Sequence, residues 1–87
     1  MCEIVKTTLN SKRNGVAYTL YESKVVVSTG KGEVTIPLPY DDNYECFDHI
    51  LYMGEKLYAI VACRVGFDVK YEIDEENFVL KDCSPFK

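Results

Sequence analysis

The side chains best suited to chemistry stand together at Cys46-Phe47-Asp48-His49. His49 is the only histidine, so any imidazole chemistry must use it. A Cys–His dyad needs a thiolate beside an imidazole that a third group orients. On a strand, alternate side chains diverge, so Cys46 and Asp48 would face one way and Phe47 and His49 the other. On a loop or helical turn Cys46 and His49 could meet. No glycine-rich oxyanion loop lies nearby. No C-x-x-C pair occurs, so zinc-ribbon and thioredoxin signatures are absent. There is also no D-x-D-x-D-G calcium loop, P-loop or G-x-G-x-x-G. A non-enzymatic chain is therefore expected, with no catalytic residues, no metal and no cofactor. A metal or small-molecule site at Cys46 and His49 is kept as an alternative.

Paired carboxylates are the other route to chemistry, through general acid–base work. One acidic run is Asp74-Glu75-Glu76, between two apolar segments and followed by Asn77. Asp and Asn at its ends supply turn chemistry, which makes it a solvated hairpin tip. The second run, Asp41 and Asp42 with Glu45 and Asp48 following, is interleaved with Tyr40 and Tyr44. Tyrosine buries a large area while keeping a polar tip, and is enriched at protein interfaces. Acids around it would steer a basic partner. The protein-binding candidates are therefore Tyr40, Asp41, Asp42, Tyr44, Glu45 and Asp48.

These residues must be held by a small body. Eighty-seven residues make one domain, residues 1–87, and 47% of them are hydrophobic. The formal net charge is −4 and the basic residues are scattered, which argues against nucleic acid as a partner. The longest apolar run, Leu57 to Cys63, is far short of the roughly 20 residues of a membrane helix, so no membrane partner is expected. The stretch Met1-Cys2-Glu3-Ile4 has no basic segment leading into an apolar one, and a cytoplasmic location is expected. In that compartment Cys2, Cys46, Cys63 and Cys83 would be reduced, packed or idle thiols.

Periodicity of two runs through the chain. Phe67, Val69, Tyr71 and Ile73 alternate with Asp68, Lys70, Glu72 and Asp74, the mark of a strand with one dry and one wet face. Leu57 to Cys63 is apolar on both faces, as in a central strand covered on both sides. Further strands are expected at Glu3–Leu9, Val16–Tyr21, Lys24–Ser28, Glu33–Leu38, Phe47–Met53 and Phe78–Cys83. In Glu33–Leu38, Val34, Ile36 and Leu38 should point inward, and Pro37 marks an edge or an end. Asn14-Gly15, Thr29-Gly30-Lys31-Gly32 and Gly54-Glu55 supply turns. No segment shows the i, i+3, i+4, i+7 spacing of a helix. The chain should be all-β: a mostly antiparallel meander of seven or eight short strands forming a small sandwich, roll or barrel. The segment Pro39 to Glu45 breaks the hairpin rhythm and divides the strands into two sets.

Ile50 to Leu80, with "MGEKLY", "YEID" and "FVL", resembles a kelch-type propeller blade. It has one glycine, Gly54, where kelch blades carry a pair, and Phe78 near their Trp position. A closed propeller needs at least about four blades, and this chain holds one such unit. In size, acidity and β content the chain is similar to small bacterial immunity proteins, which sit in the cytosol and block a toxin.

The functional expectation is a small cytosolic protein-binding domain, of inhibitor or immunity type, acting on a basic partner. The alternative is a structural module that forms a homodimer, in which a second copy covers the strand at 57–63.

Overall fold

Short turns determine most of the topology. The computed structural model describes residues 4–13 and 15–86. Eight strands follow one another: β1 (Thr7–Asn10), β2 (Ala17–Leu20), β3 (Lys24–Thr29), β4 (Gly32–Pro37), β5 (Tyr44–Met53), β6 (Lys56–Cys63), β7 (Asp68–Asp74) and β8 (Val79–Phe86). They form two four-stranded sheets in the orders β1-β2-β3-β4 and β5-β6-β7-β8. Every pairing is antiparallel between sequence neighbours. The sheets stack as a sandwich, and the segment at 39–43 is the crossing between them. Gly30-Lys31 joins β3 to β4 as a two-residue loop, and Gly54-Glu55 joins β5 to β6. Gly54 has φ of 66°, a conformation a Cβ would disfavour.

The core lies between the inner faces. Tyr18, Leu20, Val25, Val27 and Ile36 come from the first sheet, and Phe47, Ile50, Leu57, Ala59, Val61 and Ile73 from the second. They follow the period-two rule within each strand except β5, where Phe47 and Ile50 stand three apart. Each fully buried aliphatic side chain contributes about 1.5–3 kcal/mol relative to exposure.

Strand β6 is internal to its sheet and has both faces covered, but by different means. Leu57, Ala59 and Val61 meet the other sheet. Ile60 points to the opposite side and is still 0% exposed. Its cross-strand neighbours on that side are His49 and Lys70. The His49 ring meets Phe86 edge-on with centroids 5.7 Å apart, and the Lys70 ammonium sits 5.2 Å from the Tyr58 ring centre. Farther along, Glu72 takes Lys56 and Lys81 at 3.5 Å each. Long side chains of the sheet itself thus cover its outer face.

Several expected boundaries move. The first strand begins at Thr7, leaving Ile4 and Val5 exposed ahead of it; Glu3 and Cys2 lie outside the described residues. Asn14 of the expected Asn14-Gly15 turn also lies outside them. Val34 shares the inward side with Ile36 but is exposed, because β4 is an edge strand and the second sheet does not reach over it. Phe67 precedes β7 and is exposed rather than inward. The fifth strand starts at Tyr44 instead of Phe47, and the last runs from Val79 to Phe86 rather than from Phe78 to Cys83.

The fifth strand also carries two β-bulges. Pairing skips from Tyr44/Cys63 to Cys46/Ala62, and from Phe47/Val61 to His49/Ile60, so Glu45 and Asp48 are the extra residues. Bulges bend a strand and raise its twist. Here the bend carries β5 to the first sheet: the Phe47 N–H donates to the Glu22 carbonyl at 2.8 Å, and Lys6 Nζ donates to the Phe47 carbonyl at 2.7 Å. One side of the sandwich is closed in this way, at β1 and β5. The other, at β4 and β8, is open.

The hairpin tip Asp74-Glu75-Glu76 is not the solvated turn its composition implies. Asp74 does form the turn, accepting from the Glu76 N–H at 2.8 Å and the Asn77 N–H at 3.2 Å. Those bonds hold its carboxyl below the usual range. Glu75 instead points inward. Its Oε1 accepts from Ser11 Oγ at 2.7 Å, from Tyr18 OH at 2.9 Å and from Tyr52 OH at 3.1 Å. Arg13 Nη1 donates to the Glu75 carbonyl oxygen. One carboxylate therefore ties β2, the turn after β1, and the end of β5 to the β7–β8 turn.

The same contacts give a pH prediction. Burial first, and then the Glu75 carboxylate, push the Tyr18 phenol well above its ordinary value. Burial also raises Tyr44 and Tyr71. In the range above pH about 10 the unfolded chain releases these protons and the folded chain keeps them. Stability is then fully present below pH about 10 and falls as pH rises, by about 1.4 kcal/mol per pH unit for the fully buried Tyr18. Urea titrations at pH about 9 and about 11 should show a clear drop in midpoint alongside delayed tyrosinate absorbance. An unchanged midpoint would contradict the assignment.

Candidate protein-binding surface

Tyr40, Asp41 and Asp42 lie on the crossing between the sheets, whose conformation is set locally. The Asp41 carboxylate accepts from the Asn43 N–H at 2.9 Å, an Asx turn, and its carbonyl accepts from the Tyr44 N–H at 3.0 Å. The Tyr40 hydroxyl donates to Asp42 Oδ1 at 2.9 Å, and the ring is 93% exposed.

Asn43 links this loop to the turn between β6 and β7. Its amide donates to the Val65 carbonyl at 2.8 Å while its side-chain oxygen accepts from the Val65 N–H at 2.8 Å. Its own carbonyl accepts from the Arg64 N–H at 2.7 Å. Three bonds from one residue make two loops a single piece. On that piece Val65 is 77%, Phe67 63% and Tyr40 93% exposed. The Lys6 N–H bonds the Leu20 carbonyl, which brings the exposed Ile4 and Val5 to the same end of the sandwich. Two other large apolar side chains among the described residues, Val34 and Val79, are exposed on the open side. An exposed apolar group held on a rigid frame is a common feature of interaction surfaces.

Beside Tyr40 a shallow groove of about 520 Å³ is lined by Tyr40, Asp41, Asp42, Tyr44, Arg64 and residues 37–39. Four of the six candidate residues therefore come together. Glu45 and Asp48 do not line it, because as bulge residues of β5 they project from the strand. Tyr44 belongs to β5 as well and turns its tip toward the sandwich, with its hydroxyl 2.9 Å from that of Tyr71 and the rings edge-on. It forms the floor of the groove, and Tyr40 its exposed wall.

The Cys46-to-His49 segment departs from simple alternation. The bulge at Asp48 places Cys46, opposite Ala62, and His49, opposite Ile60, on the same outer face. Strand alternation alone would have separated them. The neighbours of each are other groups: Lys6 Nζ lies 3.7 Å from Cys46 Sγ, and His49 Nδ1 lies 2.7 Å from Asp48 Oδ2. Among the described residues no three of His, Cys, Asp and Glu converge to hold a metal ion. Cys46, Cys63 and Cys83 are free thiols, with Cys83 exposed and Cys63 raised in pKa by burial.

Sequence reasoning missed Asn43, Val65 and Phe67. Phe67 fits the alternation of the following strand, and nothing in the sequence distinguishes Asn43 within the polar segment Pro39 to Glu45. The only available signal was Val65-Gly66-Phe67, two large apolar residues around a turn glycine.

Comparison with protein-family models, curated proteins and solved structures finds no match to this chain.

Proposed function

We propose that this chain is a non-enzymatic, cytosolic protein-binding domain of inhibitor or immunity type, whose loop end grips a basic partner. The observation that carries the reading is the Asn43 clamp. It ties the loop that carries the exposed Tyr40 with Asp41 and Asp42 to the turn that carries the exposed Val65 and Phe67. Rigid aromatic anchors lose little entropy on binding, and they are the side chains that dominate interface energetics. The flanking acids, together with a net charge of −4, favour a partner with Lys or Arg around an apolar patch.

Charge reversal tests this reading. Asp41→Lys combined with Asp42→Lys should slow association with the partner recovered by the parent protein about tenfold or more at low salt. Tyr40→Ala with Phe67→Ala should act mainly on dissociation, as loss of packed contacts does. Both sets of kinetics are read on an immobilised partner. Unchanged rates in all four substitutions would place the contact elsewhere on the molecule.

A further inference from the structure

We infer that the open side of the sandwich accepts an extended segment of the partner, which adds to β4 as a ninth strand; this rests on the protein-binding reading above and specifies the form of the partner. The backbone of β4 sets the requirement. The Leu38 N–H donates to the Ser23 carbonyl, so Lys24 and Pro37 are a non-hydrogen-bonded pair and Val25 and Ile36 the bonded pair next to them. By alternation Val34 and Gly32 also spend their backbone groups on β3. Glu33 and Thr35 therefore direct N–H and C=O away from the sheet, and Pro37, which has no N–H to lose, occupies the same outward phase.

The other three edges are blunted. Strand β1 has four residues, and β5 carries two bulges and is bonded to the first sheet. In β8, Asp82 has φ of 51°, two residues stand opposite Tyr71, and Pro85 follows. These are the devices by which sheets block pairing. Strand β4 pairs with β3 in unbroken register and lacks a bulge, and its one blunting residue, Pro37, is the last of the strand.

Side chains of an added strand would alternate toward an apolar channel of about 240 Å³ between β4 and β8. It is walled by Ile36, Pro37, Pro39, Phe78, Val79 and Leu80. Pro37 and Pro39 also border the groove of Tyr40, Asp41 and Asp42, so channel and groove adjoin at these two residues. The matching ligand is an extended peptide with small apolar residues at alternate positions and a basic residue at the end lying over Asp41 and Asp42. Main-chain bonds supply the affinity and the alternate side chains the selectivity.

The probe is the capped peptide Lys-Val-Thr-Val-Thr-Val, titrated into the full chain with amide hydrogen exchange read by NMR. Saturation should slow exchange at Glu33 and Thr35 by about tenfold or more, as expected for amides entering a ladder. Replacing the peptide's Lys by Glu should weaken binding. Thr35→Pro deletes an outward N–H and no bond to β3, so the protein should keep its circular dichroism and lose the peptide. If Thr35→Pro does not fold, Glu33→Pro removes the other outward N–H and serves instead. Peptide binding that leaves Glu33 and Thr35 unprotected, or no binding at millimolar peptide, overturns strand addition and leaves the loop-end reading standing. Concentration-dependent protection of the two amides in the free protein, with a doubled mass by light scattering, also overturns it, because a second copy would then hold the edge. Protection by the peptide combined with loop variants that bind the partner normally supports strand addition and removes the loop end.

Discussion

Glu75→Leu is expected to cost about 3–4 kcal/mol of folding stability, a large part of the roughly 5–10 kcal/mol available to a domain of this size. Ser11, Tyr18 and Tyr52 all donate to the Glu75 carboxylate. Hydrogen bonds to a charged acceptor contribute about 1.5–3 kcal/mol, and a buried donor left without a partner costs about 1–3 kcal/mol. Tyr18 is fully buried, so its hydroxyl has no water to turn to. Ser11 and Tyr52 are only half-buried and recover part of their loss through solvent, which keeps the total below the simple sum. A double-mutant cycle separates this account from a general loss of packing. Tyr18→Phe alone should cost about 1 kcal/mol, but in the Glu75→Leu background it should be neutral or stabilising, since it removes the orphaned hydroxyl. Urea denaturation of the four proteins measures the cycle, and strictly additive costs would show that Glu75 and Tyr18 are not coupled.

Phe47→Ala is expected to cost about 3–5 kcal/mol, the range for a fully buried aromatic replaced by a methyl group. Phe47 has no exposed surface and stands between the two bulges of β5. Its backbone also carries the bonds to Glu22 and Lys6 that close the sandwich. The cavity would therefore open where the sheets are joined and where few neighbours can collapse into it. Thermal unfolding should show a largely unfolded protein, or a midpoint lowered by well over 10 °C, since about 1 kcal/mol shifts the midpoint of a small domain by about 4–8 °C. Phe78→Ala, on the open side, is the control. Phe78 is only half-buried and should cost less than half as much. Equal losses at both positions would mean that the closed side is no more important to folding than the open one.

Both predictions involve features that local patterns could not display. Alternation in Phe67–Asp74 was enough to identify a strand, because one buried face imposes a period of two, and the continuous apolar run Leu57–Cys63 marked a strand covered on both faces. Glycine turns at Gly30 and Gly54 then made neighbours in sequence neighbours in the sheet. The break at Pro39 to Glu45 correctly separated two groups of strands, although two of its residues belong to β5. The bulges at Glu45 and Asp48 were not legible: Asp48 leaves the inward Phe47 and Ile50 three apart, a spacing that in so short a run does not distinguish a bulge from a turn.

What the sequence by itself determined is the class of the fold, the hairpin order and the two groups of strands, since each follows from contacts between residues close in the chain. Only the tertiary structure decided which acid is drawn inside, which side of the sandwich stays open, and which loops become one surface. Glu75 meets Ser11 and Tyr18 across more than fifty residues, and Asn43 meets Val65 across 22. Whether a polar side chain is solvated or spent on such a partner depends on how the sheets stack, and no local pattern of hydrophobicity encodes that choice.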